Sequence, residues 1–443
     1  MWLAQPLLKI KLKRRGQQEP GYLLAIDERF GRYSAPVPPH DGPTVWVHAV
    51  SLGETRAAAV LVAALRDLMP DMRLLLTHGT ATGRAEGAKL LEPGDLQAWQ
   101  PWDTPGATQR FLKHFRPQIG VLMETEIWPN LVHSCHVRQM PLVLASARLS
   151  EKSLRQAQKW SWLARPAFTE LNAVWPQTPT DAQRFHQLGA PVRAVFGNLK
   201  FDATPDARQI ALGRKARARI GKPVVMFASS REGEELALLQ ILKDFRPLAL
   251  MDKGQVATDF VVNQVQWLIV PRHPQRFDAV AELVTDQGFA VSRRSSWGVQ
   301  GPELPEAAAG QPPTVWLGDS LGEMALYFGL ADVALLGGSF EPLGGQNLIE
   351  AAACGCPVLM GLHTFNFAKA AEQALAAGAA LRVADLAEAV TVAGELVADA
   401  DRLASARQSC SDFSQAHRGA AHGLARAIVH VMNASVAGLV ETG

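Results

Sequence analysis

VWVHAVSLGETRAAAVLVAALRDL, residues 45–68, contains the unit from which the rest of the chain is built. VWVHAV (45–50) is β-rich and apolar on both faces, Ser51-Leu52-Gly53 is a turn, and ETRAAAVLVAALRDL places its apolar residues on one helix face. From Thr44 onward the pattern recurs. The first half predicts further strands at RLLLTH (73–78), IGVLM (119–123), LVLAS (142–146), AVWPQ (173–177) and AVFGN (194–198). The second half predicts them at VVMFAS (224–229), WLIVPR (267–272), TVWLGD (314–319), VALLGG (333–338) and PVLMG (357–361). Runs this continuous in Val, Leu and Ile suit strands covered on both faces of a parallel sheet. Strand and helix in alternation give a doubly wound α/β fold.

At 443 residues the chain exceeds one ordinary core and divides naturally into two such domains. The rhythm pauses in the basic stretch DATPDARQIALGRKARARIGK (202–222), read as a connection containing a helix, with a cleft between two Rossmann-like halves. The expected divisions are a basic and apolar N-terminal segment (1–20), a first domain (21–202), the connection (203–222) and a second domain with a helical tail (223–443). Residues 245–267 read as a surface insertion in one crossover. The N-terminus, MWLAQPLLKIKLKRR, carries Lys9, Lys11, Lys13, Arg14 and Arg15 among aliphatic residues, and suits a segment lying on an anionic membrane surface. Its apolar run is too short to span a bilayer. A formal charge of +2 makes no demand for nucleic acid. The four cysteines (135, 354, 356, 410) form neither a zinc pattern nor a disulfide framework, which fits a reducing, cytosolic setting.

Two cofactor signatures are missing. No G-x-G-x-x-G follows the first strand and no phosphate-binding G-x-x-x-x-G-K-[ST] occurs. Asp399-Ala400-Asp401 mimics a metal-binding D-x-D but lies in a helical run, where a solvated face is expected. The positive signals sit where strands end, the place where open α/β sheets bind ligands. HAVSLGETRAA puts His48, Ser51, Gly53 and Glu54 at a strand-to-helix turn. Glu54 reads either as a first-turn acid complementing the helix dipole or as a general base, which needs a second influence to raise its pKa. LMETEIWPN places Glu124 directly after a strand and Glu126 two residues on; Asn130 or Glu126 could instead cap the helix that follows. FGNLKFD offers Lys200, suited to a phosphate or a sugar carboxylate. In the second half, VPRHPQRF supplies Arg272, His273 and Arg276; GDSLGEM supplies Ser320, Gly322 and Glu323; and GGSFEPLGGQNLIEAAACG supplies two Gly pairs, Asn347 and Glu350. Arginine forks and helix starts suit phosphate, and a carboxylate can accept from both ribose hydroxyls. Together these suggest a nucleotide pocket.

The ordered set SLGETRAA, METEIWPN, ASARLSEKS, GNLKFD, VPRHPQRF, GDSLGEM and GGSFEPLGGQNLIEAAACGCPVLMG resembles the 3-deoxy-D-manno-octulosonic acid (Kdo) transferases from about Tyr22 to about Leu381. The resemblance implies a GT-B glycosyltransferase: two Rossmann-like doubly wound domains facing a cleft, the first for the acceptor and the second for the nucleotide. It implies inverting transfer of Kdo from CMP-Kdo to a tetraacylated lipid A precursor, in lipopolysaccharide biosynthesis on the cytoplasmic face of the bacterial inner membrane. No metal and no other cofactor are expected. Carried over by motif, Glu54 is the base that deprotonates the acceptor's primary hydroxyl, and Glu124 and Lys200 stabilise the transition state. Pro271 and Arg272, Leu321, Gly322 and Glu323, and Asn347, Leu348, Ile349 and Glu350 contact CMP. Domain closure would exclude water from the reacting groups. The sequence departs from the family at Gln346, where the family usually has His, and in a shortened N-terminal apolar anchor. Rival readings are another GT-B lipid or UDP-sugar transferase, and a non-catalytic nucleotide-binding protein that would need neither Glu54 nor Glu124.

Overall fold

The computed structural model describes residues 12–17, 19–244, 264–298, 301–302 and 312–441. Thirteen described strands form two sheets, and every strand pairing within them is parallel. The chain folds as two compact units; the first ends at Ala203 and takes the chain back from His417, and the second runs Thr204–Ala416.

The first sheet contains β1 (Thr44–His48), β2 (Arg73–His78), β3 (Leu96–Trp99), β4 (Ile119–Met123), β5 (Leu142–Ala147) and β6 (Ala173–Pro176). Their order is β3-β2-β1-β4-β5-β6. The strand order reverses between β1 and β4, and in such sheets a crevice opens there at the carboxyl ends. β1, β2, β4 and β5 are buried along their whole length. The second sheet contains β7 (Val224–Ser230), β8 (Gln266–Pro271), β9 (Ala290–Arg293), β10 (Thr314–Leu317), β11 (Val333–Leu336), β12 (Val358–Met360) and β13 (Ala380–Arg382). Its order is β13-β12-β11-β7-β8-β10-β9, with the reversal between β7 and β11.

Ten of the predicted strands are present, and AVFGN (194–198) is not. Val192 makes one bridge to Val174, after which Gly197 takes φ +99° and turns the chain into the short helix Leu199–Asp202. Three strands had no signal: β3, β9 and β13. Each lies at a sheet edge, is only three or four residues long and includes residues that are not buried.

The boundaries also differ from those expected. The helical tail does not belong wholly to the second domain. Its last helix, Ala420–Glu441, buries Leu424, Ala425, Ile428 and Met432 in the first core, with Leu61 and Leu65 of helix Leu52–Leu68. The supposed connection forms its helix, Ala207–Arg219, but this is part of the second unit and packs on helix Met324–Leu330. A Cβ on Gly213 would lie 2.2 Å from the Leu326 carbonyl oxygen, and one on Gly329 would lie 2.6 Å from that of Ile210. Only glycines allow so close a contact.

Of the expected membrane-surface segment, residues 1–11 lie outside the described residues, as do residues 245–263 of the expected insertion. Arg15 stands over the Tyr22 ring at 4.5 Å, a cation–π contact within the unit. Asp399 accepts from the Arg402 N–H at 3.0 Å and so caps a helix start. Among the described residues, no helix is long and apolar enough to cross a membrane.

The helix contact gives a direct test. Gly213→Ala is expected to lower stability by about 1–3 kcal/mol, the usual cost of overpacking, in urea unfolding of the full chain.

Candidate active site

Two loops converge at the reversal in the first sheet. The chain leaves β1, passes Ala49 and Val50, and enters helix Leu52–Leu68 with Ser51 as N-cap. The Ser51 oxygen accepts from the Glu54 N–H at 3.4 Å, and its hydroxyl donates to Glu54 Oε1 at 3.3 Å. The Val50 N–H donates to Glu54 Oε2 at 2.6 Å. This is a capping arrangement, so Glu54 does complete the helix start. The same bonds fix its carboxylate while leaving lone pairs unused. Burial raises the Glu54 pKa, and the negative charge of Glu124 adds to the rise against the Val50 bond. The influence required of a base is therefore mainly desolvation, with the neighbouring acid second. Gly53 has no positive φ, and a Cβ there would meet open space, so its backbone does not require glycine.

Glu124 follows β4 with φ +52°, and Ser146 at the end of β5 has φ +50°. Left-handed backbone at a residue with a side chain costs about 1–2 kcal/mol. Two bonds between the neighbouring strand ends hold it: the Glu124 N–H to the Ala145 oxygen, and the Arg148 N–H to the Glu124 oxygen. The Glu124 side chain, buried at its strand end, meets Lys200 Nζ at 2.9 Å and Arg148 Nη1 at 3.7 Å. Sequence reasoning named Lys200 and Glu124 separately, and the fold makes them an ion pair.

Lys200 is held by its own loop. The Asn198 side chain accepts from the Lys200 N–H at 3.0 Å, and Asp202 accepts from the Gly419 and Ala421 N–H groups at 2.5 and 2.6 Å. Phe201 stacks on His417. The start of the last helix thus clamps the loop that presents the lysine.

Glu126 does not cap the following helix, and neither does Asn130. Asp103, from a distant loop, accepts from the Asn130 and Leu131 N–H groups at 3.1 and 2.9 Å. Glu126 accepts from Trp128 Nε1 at 2.9 Å and lies 3.9 Å from Nε2 of the fully buried His48. Burial, then the charge of Glu54, pushes the Glu126 pKa up to about 7.

In the second unit the predicted residues again lie at strand ends. Pro271 closes β8, and the exposed Arg272 follows, its N–H donating to the Ser230 oxygen at 3.0 Å. Burial and then the charges of Arg231, Arg272 and Arg276 lower the His273 pKa, so four basic groups share this corner. Arg276 is committed elsewhere: it forms a bidentate pair with the buried Glu235 at 2.8 and 3.0 Å. Leu321 is exposed and Gly322 has φ +78°. Glu323 accepts from Arg294 at 2.8 Å and from Ser320. Asn347 caps helix Leu348–Ala353 through the Ile349 N–H at 3.2 Å, and Glu350 lies in its first turn. The Leu348 and Ile349 side chains are buried, so only their backbone is available to a ligand. The Gly pairs serve the chain itself. A Cβ on Gly337 would lie 2.3 Å from the Ser229 oxygen, and one on Gly344 would strike Asn366. Buried Glu234 accepts from the Gly338 N–H at 2.8 and 2.9 Å and ties the loops after β7 and β11 together.

Comparison with known proteins shows the family. A family model described as 3-deoxy-D-manno-octulosonic-acid transferase (kdotransferase) matches residues 25–203. The 3-deoxy-D-manno-octulosonic acid transferase of Bordetella pertussis is 43% identical over 422 residues, 94% of each chain. The chain belongs to the Kdo transferase family. The Haemophilus influenzae transferase is 32% identical, covering 82% of this chain and 81% of its own. The fold is GT-B. It is shared with UDP-GlcNAc 2-epimerase from Neisseria meningitidis (TM-score 0.54, 13% identity, 88% of this chain and 99% of that one). A glycosyltransferase from Rickettsia africae is equally similar (TM-score 0.54, 12% identity, 90% and 99%).

As a Kdo transferase the chain is an enzyme, and several residues that shape its two strand-end clusters were not singled out from the sequence. Arg148, Asp103, Asp202, Glu234 and Glu235 bond to groups far along the chain, and no local pattern names the partner. Arg148 directly follows β5, Asp202 closes GNLKFD, and Glu234-Glu235 is an acid pair after a Gly just beyond β7, so their positions alone could have pointed to them.

Asp202→Ala removes the clamp on the Lys200 loop. Two backbone donors lose a charged acceptor, each such bond contributing about 1.5–3 kcal/mol. A lower midpoint in urea unfolding, with a fall in Kdo transfer, is expected; unchanged values for both would mean that the clamp is dispensable.

Proposed function

We propose that this enzyme moves Kdo from CMP-Kdo to the primary hydroxyl of a tetraacylated lipid A precursor, inverting the anomeric centre without a metal ion. Transfer of Kdo in lipopolysaccharide synthesis follows from the family; the donor, the acceptor and the roles below are our reading. The observation that carries it is Glu54, a carboxylate held by two hydrogen bonds beside an ion-paired acid, with its pKa raised by burial. Glu54 accepts the hydroxyl proton as the oxygen attacks the anomeric carbon. The bond to CMP breaks, and its electron pair leaves on the phosphate. Lys200, paired with Glu124, faces the charge that builds during transfer. Arg272 takes the phosphate, with Arg231 and His273 close to it, and Glu350 accepts from the ribose hydroxyls.

A lipid acceptor calls for work at a membrane surface, and we assign this to the cytoplasmic face of the inner membrane. Apart from the N-terminal segment, support comes from Trp160, Trp162 and Leu163, which are 51%, 72% and 48% exposed. They lie on adjoining helices beside exposed Lys152, Arg155, Lys159 and Arg165. Aromatic side chains among basic residues suit a headgroup layer.

Incubation with CMP-Kdo and lipid A precursor, read by product mass, tests donor and acceptor together; absence of a Kdo adduct would reject the pairing. Glu54→Gln is expected to retain CMP binding and to lose transfer by about 100- to 10,000-fold, the usual contribution of a general base. Near-normal turnover would remove Glu54 from the mechanism.

Arg272→Ala is expected to weaken CMP binding by about 1.5–3 kcal/mol in calorimetry. Chelator should leave the rate unchanged, and strict metal dependence would contradict the proposed chemistry.

A further inference from the structure

We infer that Glu126 and His48 form a proton-holding pair beside Glu54: Glu126 carries the one proton of the carboxylate group, and the lone pair on His48 Nε2 keeps it there. The inference rests on the reading of Glu54 as the base. It makes Glu126 a positioning residue, one that sets the charge of its neighbour without touching the reacting atoms.

The geometry begins at His48. Its ring is fully buried at the end of β1, and Nδ1 lies 3.2 Å from the Thr77 carbonyl oxygen and 2.9 Å from Thr77 Oγ1. The Thr77 carbonyl oxygen only accepts, and the Thr77 hydroxyl has Gln100 Oε1 to donate to at 3.3 Å, so we assign the hydrogen to Nδ1 and the lone pair to Nε2. Nε2 is buried without a hydrogen-bond partner. The carboxyl oxygen Oε2 of Glu126 stands 3.9 Å from it. A buried acceptor without a donor is costly, by about 1–3 kcal/mol. Two ways of supplying one are a protonated imidazole and a protonated carboxyl. The first is closed, because burial and the neighbouring His78 lower the His48 pKa to about 3. The second remains. A turn of the carboxyl that closes the 3.9 Å gap lets a protonated Glu126 donate to Nε2 from one oxygen while the other accepts from Trp128 Nε1.

Charge balance points the same way. The groups around Glu126 are His48 on β1, Glu54 on helix Leu52–Leu68, and Glu124 in its own loop, with Lys200 and Arg148 paired to Glu124. Three anions would face two cations if every acid ionised. With Glu126 neutral the counts match. Glu124 is already matched by two cations, and Glu54 accepts from backbone and hydroxyl groups, bonds that favour its ionised form. Glu126 has only the indole N–H and is pushed up to about 7. Glu54 and Glu126 titrate as a coupled pair, and the His48 lone pair decides which of them keeps the proton. Glu54 is then ionised and ready to accept the hydroxyl proton. Above the upper transition a third anion faces an acidic sugar and a phosphate, and transfer should fall.

The test uses the full chain. For the parent, kcat/KM is expected to fall as pH rises through about 7, by up to roughly tenfold per pH unit, as for a single ionisation. Glu126→Gln, neutral at every pH and still a donor to Nε2, is expected to lose that fall whatever its absolute rate. A fall that persists in Glu126→Gln overturns the proposal. Infrared difference spectra without substrate give a second reading. A protonated-carboxyl band is expected in the parent, fading through the same pH and absent from Glu126→Gln. Glu54→Gln should keep the band at acid pH with a lower midpoint, because one repelling charge is gone. His48→Phe should also lower the midpoint, because the acceptor of the proton is gone. A band that survives Glu126→Gln, or that disappears at all pH in Glu54→Gln, overturns the assignment. An unmoved midpoint in His48→Phe overturns the part given to His48. Full turnover by Glu54→Gln would overturn the base instead and leave the infrared result standing.

Discussion

The Lys200 ammonium and the Glu124 carboxylate meet at 2.9 Å across 76 residues of chain, and much of the first unit serves to make that meeting possible. Glu124 sits at a strand end in a left-handed backbone conformation that the neighbouring strand end stabilises. Lys200 rides on a loop clamped by the first turn of the last helix. A buried carboxylate beside two other acids is stabilised by a cation at contact distance. The return of the chain to the first unit after His417 secures the loop that provides it.

The second unit solves a related problem with the charges reversed. Arg272, Arg276 and Arg231 crowd one corner, and a buried acid, Glu235, takes up Arg276 in a bidentate pair. Glu234, next to it, spends its carboxylate on a backbone N–H across the reversal in the sheet. Asp319 does similar work for the Arg293–Ser295 turn, and Glu323 for Arg294. Acids hold the loops in place there, while Arg272 extends outward. In both units candidate residues follow the carboxyl ends of strands: Glu54 and Glu124 flank the reversal in the first sheet, while Arg272 follows β8, Glu323 follows β10 and Glu350 follows β11 in the second.

Glu54 shows why a structural role need not compete with the chemical role we propose for it. It completes the helix start, and the bonds that do so also orient the carboxylate and leave lone pairs unused. Its desolvation, more than its neighbours, shifts its pKa. Glu126 is the opposite case: relieved of capping by Asp103, it keeps one indole donor and a buried imidazole for company.

The sequence by itself determined the α/β class, the central strands and the strand ends at which the candidate residues lie. Strands buried on both faces must be continuously apolar, and ligand-binding residues of such sheets must follow them directly. VWVHAV and IGVLM could be read as strands for that reason, and Glu54 and Glu124 as the groups at their ends. Edge strands escape this logic: LQAW, AVSR and ALR are short and partly uncovered, so their composition resembles that of loops. AVFGN failed for the converse reason, an apolar run that Gly197 turns away from the sheet. Only the tertiary structure decided which unit receives the last helix, that Asp103 rather than Glu126 or Asn130 caps its neighbour, and that Lys200 pairs with Glu124. Those outcomes depend on contacts between residues tens to hundreds of positions apart, and the energy of such a contact depends on burial and geometry that no local pattern carries.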